Sequence, residues 1–286
     1  MQKKILIIGA GNVGTSLYRL LSEFYPGKVH LYGRKEAIRA TFSYLKEEDY
    51  SNFLTVDLMS GIDVIFLTVP DDYIKEASRL IHLYPLSGKR IFHTSGAKDS
   101  SEIRHLVSRG ATVGCLHPMQ SFAKKYADPD VWKGIVCSFE GDDACFKIAS
   151  TYCEKTDAHL IRVTPDQKVA IHVAGVFTAN FTVALLNIAE KILTQAGVTE
   201  IPKNEILYPL LAGLAQNYKQ APSDEILTGP IKRGDIKVIR KHIAYLQLRK
   251  IDTSLYLKLA ELLLDNPHFE IKNSQRIKEL MKKFRR

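Results

Sequence analysis

The chain has 286 residues, about twice the usual single-domain length, so two domains are expected rather than one core. With 45% hydrophobic and 25% charged residues, it is not a long disordered tail, a collagen-like repeat or a mucin-like stalk. The formal net charge of +9 raises nucleic acid as a partner, but seven Lys or Arg against two Glu fall between Glu270 and Arg286, where they read as the solvated face of a terminal helix. The remaining excess suits a small anionic substrate, with no nucleic acid and no membrane partner expected.

The first apolar run, Lys4–Ile8, is too short for a secretory leader and reads as a strand. It runs directly into Gly9-Ala10-Gly11-Asn12-Val13-Gly14 and then into a helix with Leu17, Leu20 and Leu21 on one face. This is the order a dinucleotide-binding turn requires. Gly9 permits the tight turn, Gly11 lets a pyrophosphate approach the backbone, and Gly14 lets helix and strand pack closely. The phosphates then meet the helix start around Asn12 and Val13. The second strand, Val29–Tyr32, is followed by Gly33-Arg34-Lys35, where an NAD site would place a carboxylate for the ribose hydroxyl. Arg34 and Lys35 are suited instead to a 2′-phosphate, which points to NADP as cofactor. The strand over 63–69 ends in Thr68-Val69-Pro70, with Val69 and Pro70 as an apolar lip against the nucleoside.

Further strands are expected at Arg90–Thr94, Thr112–Leu116, Ile135–Phe139 and His159–Val163, separated by segments of helical spacing. The alternation predicts an α/β fold: a doubly wound, Rossmann-type parallel sheet. Cys115, Cys137, Cys145 and Cys153 lack metal-ligand spacing, so no metal is expected, and they read as reduced core thiols of a cytoplasmic protein. After Val163-Thr164-Pro165 the periodicity is helical to the end. We expect a dinucleotide-binding domain over 1–164 and a smaller all-helical substrate and dimerisation domain over 165–286. The apolar stretch Val169–Ala189 carries His172, Asn180, Thr182 and Asn187 and reads as a buried helix with a polar stripe, not a bilayer span.

Three blocks stand where open α/β sheets place their chemistry or face that edge: His93-Thr94-Ser95-Gly96-Ala97, Leu116-His117-Pro118-Met119-Gln120-Ser121-Phe122, and Leu227-Thr228-Gly229-Pro230-Ile231-Lys232-Arg233-Gly234-Asp235. With the glycine turn, their order and spacing resemble a Rossmann-like NADP-dependent oxidoreductase family of the 6-phosphogluconate dehydrogenase-like superfamily, whose helical C-terminal domain is of unknown function. Some members are regarded as alternative ketopantoate reductases of pantothenate synthesis. The resemblance implies a homodimer that reduces a small 2-keto acid, ketopantoate being the expected one, with NADPH.

It also implies that the helix from about Asp166 presents the reactive side chains. Lys168, His172, Val176 and Asn180 share an i+4 ridge, on which Lys168 and His172 can meet one substrate while Asn180 belongs to a flank. Related ketopantoate reductases have Asn where His172 stands, so the proton donor is either Lys168 or His172, with Lys168 favoured. Ser95 is expected between coenzyme and substrate. His117, Gln120, Thr228, Gly229 and Arg233 are expected on the substrate, Arg233 through a carboxylate. Two other functions fit the same fold: an imine reductase of the pyrroline-carboxylate type, and a regulator that binds NADPH without turnover.

Overall fold

A computed structural model describes residues 3–33, 45–125 and 127–284. Eight strands form one sheet: β1 (Ile5–Ile8), β2 (Val29–Tyr32), β3 (Tyr50–Ser51), β4 (Val64–Leu67), β5 (Arg90–His93), β6 (Thr112–Pro118), β7 (Val136–Gly141) and β8 (His159–Arg162). Their spatial order is β3-β2-β1-β4-β5-β6-β7-β8. On β1, alternate residues divide between two cores. Ile5 and Ile7 meet Leu17 and Leu21 of α1 (Asn12–Phe24) and Tyr152 of α4 (Asp143–Lys155), while Leu6 and Ile8 meet Met59 of α2 (Val56–Gly61) and Ile74 and Ile81 of α3 (Ile74–His82). A strand apolar at every position is what a sheet covered on both faces demands, and each buried Leu or Ile contributes about 1.5–3 kcal/mol. The expected doubly wound α/β class is the one observed.

Two details correct the expectation. The sheet is not wholly parallel, because β7 returns antiparallel to β6, with Leu116 opposite Phe139 and His117 opposite Ser138. Among its described residues the connecting stretch 119–135 carries no crossover helix and forms a short 3₁₀ turn at Pro129–Trp132. Trp132 in that turn packs at 5.0 Å from the Phe122 ring and donates its indole N–H to Ser16 Oγ of α1 at 2.9 Å. The second detail is β3, a two-residue edge strand beside β2 that leaves no periodicity to read.

A capping box starts α5 (Pro165–Gly175) immediately after β8. Thr164 Oγ1 accepts from the Gln167 amide at 3.2 Å, Gln167 Oε1 accepts from the Thr164 amide at 2.9 Å, and Pro165 occupies the first turn. One widened π-turn, Val176–Asn180, joins α5 to α6 (Phe181–Gln195). The last strand ends at Arg162, two residues before the expected boundary at 164, and the compact units are Met1–Asn180 and Phe181–Arg286. α5 stays with the sheet because Lys168 and His172 are held against the loops after β5 and β6.

In the second unit, α9 (Ile236–Leu248), α10 (Ser254–Asp265) and α11 (Ser274–Lys282) share a core of Ile239, Ile243, Leu257, Leu264, Ile277 and Met281. The basic C-terminal segment thus turns its apolar side inward. The reading of Val169–Ala189 as a buried helix is corrected. Val169, Val173 and Phe177 of the first unit and Phe181, Val183 and Leu185 of the second are exposed. So are Tyr208, Leu210, Leu214 and Tyr218 of α7 (Lys203–Gln220). By length and composition alone, Pro165–Gln195 is apolar enough to cross a bilayer.

Candidate functional site

The glycine turn is fixed by contacts a side chain would destroy. Gly9 has φ +118°, and a Cβ there would sit 2.8 Å from the Thr68 carbonyl carbon and oxygen. A Cβ on Gly14 would fall onto the Gly9 carbonyl oxygen and 2.5 Å from Thr68 Oγ1. Thr68, which the sequence reading left without a role, donates its hydroxyl to the Gly9 carbonyl at 2.8 Å and locks the turn to the end of β4. At Gly11 the pattern reverses, since a Cβ would meet nothing within 4 Å. Its lack of a side chain serves an approach from outside. The first-turn amides of α1 have no intrahelical acceptor and point the same way. Asn12 donates its side-chain amide to the Phe122 carbonyl at 2.8 Å, so toward an anion it offers its backbone.

A cavity of about 920 Å³ opens over this turn at the carboxyl ends of β1, β2 and β4. Gly9, Ala10 and Gly11 form its floor and Val69, Pro70 and Tyr73 its apolar wall, with Arg79 and Lys125 also lining it. Gly33 belongs here too. A Cβ would lie 2.8 Å from Tyr50 Oη, and that hydroxyl donates to the Gly33 carbonyl at 2.9 Å. The volume is in the upper range of small-molecule pockets, and the fold places it where such sheets bind dinucleotides. Arg34 and Lys35, expected to read the 2′-phosphate, lie outside the described residues.

Beyond β5 and β6 the polar groups are held by one another. The Ser95 hydroxyl donates to Asp71 Oδ2 at 2.8 Å and accepts from the amides of Ala97 at 3.2 Å and Lys98 at 3.0 Å. These three bonds engage its hydroxyl within the protein, so Ser95 braces the loop after β5. The Ser95 carbonyl accepts from Lys168 Nζ at 2.5 Å and from Cys115 Sγ at 3.2 Å. Lys168 is only 2% exposed, so its ammonium sits beneath the loop rather than at a surface open to substrate. His93 donates from Nε2 to the Asp99 carbonyl at 2.9 Å and accepts the Ser95 amide at Nδ1. Burial first, with the Lys168 cation adding, pulls its pKa from 6.5 to about 4 despite its bond to the Asp99 carbonyl.

His117 and His172 remain. His117 donates from Nδ1 to the Thr94 carbonyl at 3.1 Å, and its ring lies 5.8 Å from the His172 ring, edge to face. Burial holds His117 at a pKa of about 4, with Lys168 and His172 pushing the same way. Gly96 separates the two rings. A Cβ there would lie 2.9 Å from His117 Nε2 and nearer still to His172 Nδ1. The sequence contained this glycine in its motif but not the reason for it, because the rings come from β6 and α5.

The other expected residues are described in turn. Gln120 donates to the Val131 carbonyl at 3.0 Å and accepts the Ser121 amide at 2.8 Å, tying its own loop. Asn180 is exposed at the end of the π-turn. Thr228, Gly229 and Arg233 belong to the second unit, where Gly229, with φ +86°, opens α8 (Gly229–Arg233). Arg233, 62% exposed, pairs through Nε with Asp235 Oδ2 at 2.9 Å.

Residues 135–262 match a family described as a domain of unknown function, DUF2520. No curated protein matches the chain. Among solved structures, BF3122 from Bacteroides fragilis, a candidate NADP oxidoreductase, is 22% identical over 91% of this chain and 97% of that one, with a TM-score of 0.68. Protein TM1727 from Thermotoga maritima is 22% identical over 99% and 100%, with a TM-score of 0.66. An imine reductase from Myxococcus stipitatus, in complex with NADP+, is 15% identical over 98% and 99%, with a TM-score of 0.62. At these identities the likeness establishes a shared fold over almost the whole length of each chain.

Proposed function

We propose that this protein is an NADP-dependent oxidoreductase acting on a small molecule. The observation that carries the reading is the cavity floored by Gly9–Gly11, together with a Gly14 whose Cβ the turn cannot admit. These residues fit a dinucleotide: Gly11 and the first-turn amides of α1 for the pyrophosphate, Val69 and Pro70 for the nucleoside, Arg34 and Lys35 for the 2′-phosphate. NADP as coenzyme is further supported by the structural neighbours, of which the imine reductase is bound to NADP+. When bound, the nicotinamide supplies or accepts a hydride.

On the protein side, His117 and His172 meet the reacting group. Lys168 positions the loop through the Ser95 carbonyl and sets a positive charge under the two rings. The substrate we favour is a 2-keto acid, ketopantoate among those to assay; for the second unit, Thr228, Gly229 and Arg233 are proposed as contacts for an anionic group. Titration with NADPH and NADH, followed by hydride transfer to a panel of 2-keto acids and cyclic imines, tests the reading. Preferential binding of NADPH with turnover of one class supports it. Equal weak binding of both coenzymes with no turnover rejects it.

We also propose a homodimer. Phe181, Val183 and Leu185 of α6 and Tyr208, Leu210, Leu214 and Tyr218 of α7 are exposed, and a second copy of the same helices would cover them. Light scattering on the purified protein gives the mass directly, and a monomer at micromolar concentration would reject it.

A further inference from the structure

The glycine turn supplies less charge than a dinucleotide brings to it. Each phosphate of a pyrophosphate is anionic, while a helix N-terminus offers the equivalent of about half an elementary charge. Among the described residues that line the cavity, the charged side chains are Glu76, Arg79 and Lys125. Arg79 stands on α3 beside Leu80, about 7 Å along the helix axis from Ile74 and so beyond the wall of Val69 and Pro70 that faces the nucleoside. Lys125 comes from a different part of the chain, the loop after β6.

That loop is pinned on both sides of Lys125. Before it, the Phe122 carbonyl accepts from Asn12 Nδ2 at 2.8 Å, and the Phe122 ring packs at 5.0 Å from Trp132, whose indole N–H is bonded to Ser16 of the same helix. After it, Ala127 is buried. The residue that opens α1 therefore holds the loop three positions ahead of Lys125, and the lysine reaches the cavity floored by Gly9, Ala10 and Gly11 from a backbone already in place. A contact made from such a backbone loses little to ordering when a ligand arrives.

We propose that Lys125 is a coenzyme-binding residue, its ammonium set against the pyrophosphate that the Gly9–Gly14 turn receives. This rests on the reading of the cavity as a dinucleotide site and adds a contact from outside the glycine motif. Lys125 supplies a full charge where the backbone amides of α1 supply partial ones. It contributes affinity without discrimination. The pyrophosphate is common to NADPH and NADH, whereas the 2′-phosphate assigned to Arg34 and Lys35 belongs to NADPH alone.

The test is calorimetric titration of the full chain, of Lys125→Met and of Lys125→Arg with NADPH and NADH, and with adenosine 2′-monophosphate by displacement. Methionine keeps an unbranched stem and removes the charge; arginine keeps the charge. Lys125→Met is expected to weaken NADPH and NADH each by about tenfold, leaving their ratio of affinities and the binding of adenosine 2′-monophosphate unchanged, while Lys125→Arg recovers most of the loss. Lys125 is exposed, so both variants are expected to melt with the unmodified protein. A loss confined to NADPH, a parallel loss for adenosine 2′-monophosphate, or an equal loss in Lys125→Arg overturns the proposal. An unmodified protein that binds no dinucleotide fails the reading of the cavity and the proposal with it. One that binds both coenzymes, with Lys125→Met binding them equally well, fails the proposal alone.

Discussion

The two ends of the sheet edge use polar atoms in opposite ways. At Gly9–Gly14 the chain withholds side chains, so that backbone amides face a cavity. Beyond β5 and β6 it gathers side chains rich in chemistry and then satisfies nearly all of them internally. Ser95 has its hydroxyl saturated, Lys168 holds a carbonyl, and His93 has both ring nitrogens engaged. The difference teaches that a residue type says what an atom can do, while only its partners say whether it is free to do it.

The sharpest break of this contrast is Gly14→Ala, whose methyl would press on the Gly9 carbonyl. We expect it to lower stability by about 3–5 kcal/mol and abolish NADPH binding. Gly11→Ala meets nothing within the protein, so it should melt normally while binding falls about tenfold or more. Calorimetry with coenzyme titration separates the two, and a normal melting temperature for Gly14→Ala would void the distinction.

Acid should act on the other end. The folded pKa values of His93 and His117, about 4, lie below the ordinary 6.5, so the unfolded chain binds more protons between those values. Stability is therefore full above pH 6.5 and declines as pH falls toward 4, by at most about 3 kcal/mol per ring. Urea unfolding across this window in the protein and in His93→Gln checks it, the variant showing the smaller slope.

Ser95→Ala strands Asp71 and the amides of Ala97 and Lys98, and should cost about 1–3 kcal/mol with little change in NADPH affinity. A large loss of affinity would return Ser95 to the coenzyme. The smallest effect belongs to Arg233→Ala. Its ion pair is exposed, so stability should move by less than about 1 kcal/mol, while KM for a 2-keto acid rises if the guanidinium holds the carboxylate.

The glycine turn was legible in the sequence because its spacing encodes backbone geometry directly, and the strands because residues apolar at every position imply two covered faces. The direction of β7 was not legible, since Val136–Phe139 reads alike in either sense and the stretch 119–135 is as long as the 142–158 connection that carries α4 across to parallel β8. The need for glycine at 96 was hidden for another reason: the rings packed on it are those of His117 and His172, which are distant in the chain. The exposure of Val169 and Val173 was misread because an apolar stripe shows that a face will be covered without showing by what.

Trp132 is the chain's single tryptophan, and its indole N–H ends on Ser16, two residues beyond Gly14. Its neighbour Phe122 supplies the carbonyl that holds Asn12. The protein thus carries a built-in fluorophore attached at one remove to the dinucleotide turn. Its emission should be quenched when a reduced nicotinamide arrives and should redden when the first core opens. The melting of α9–α11, with Trp132 absent from their core, should pass unseen in fluorescence while remaining visible in circular dichroism.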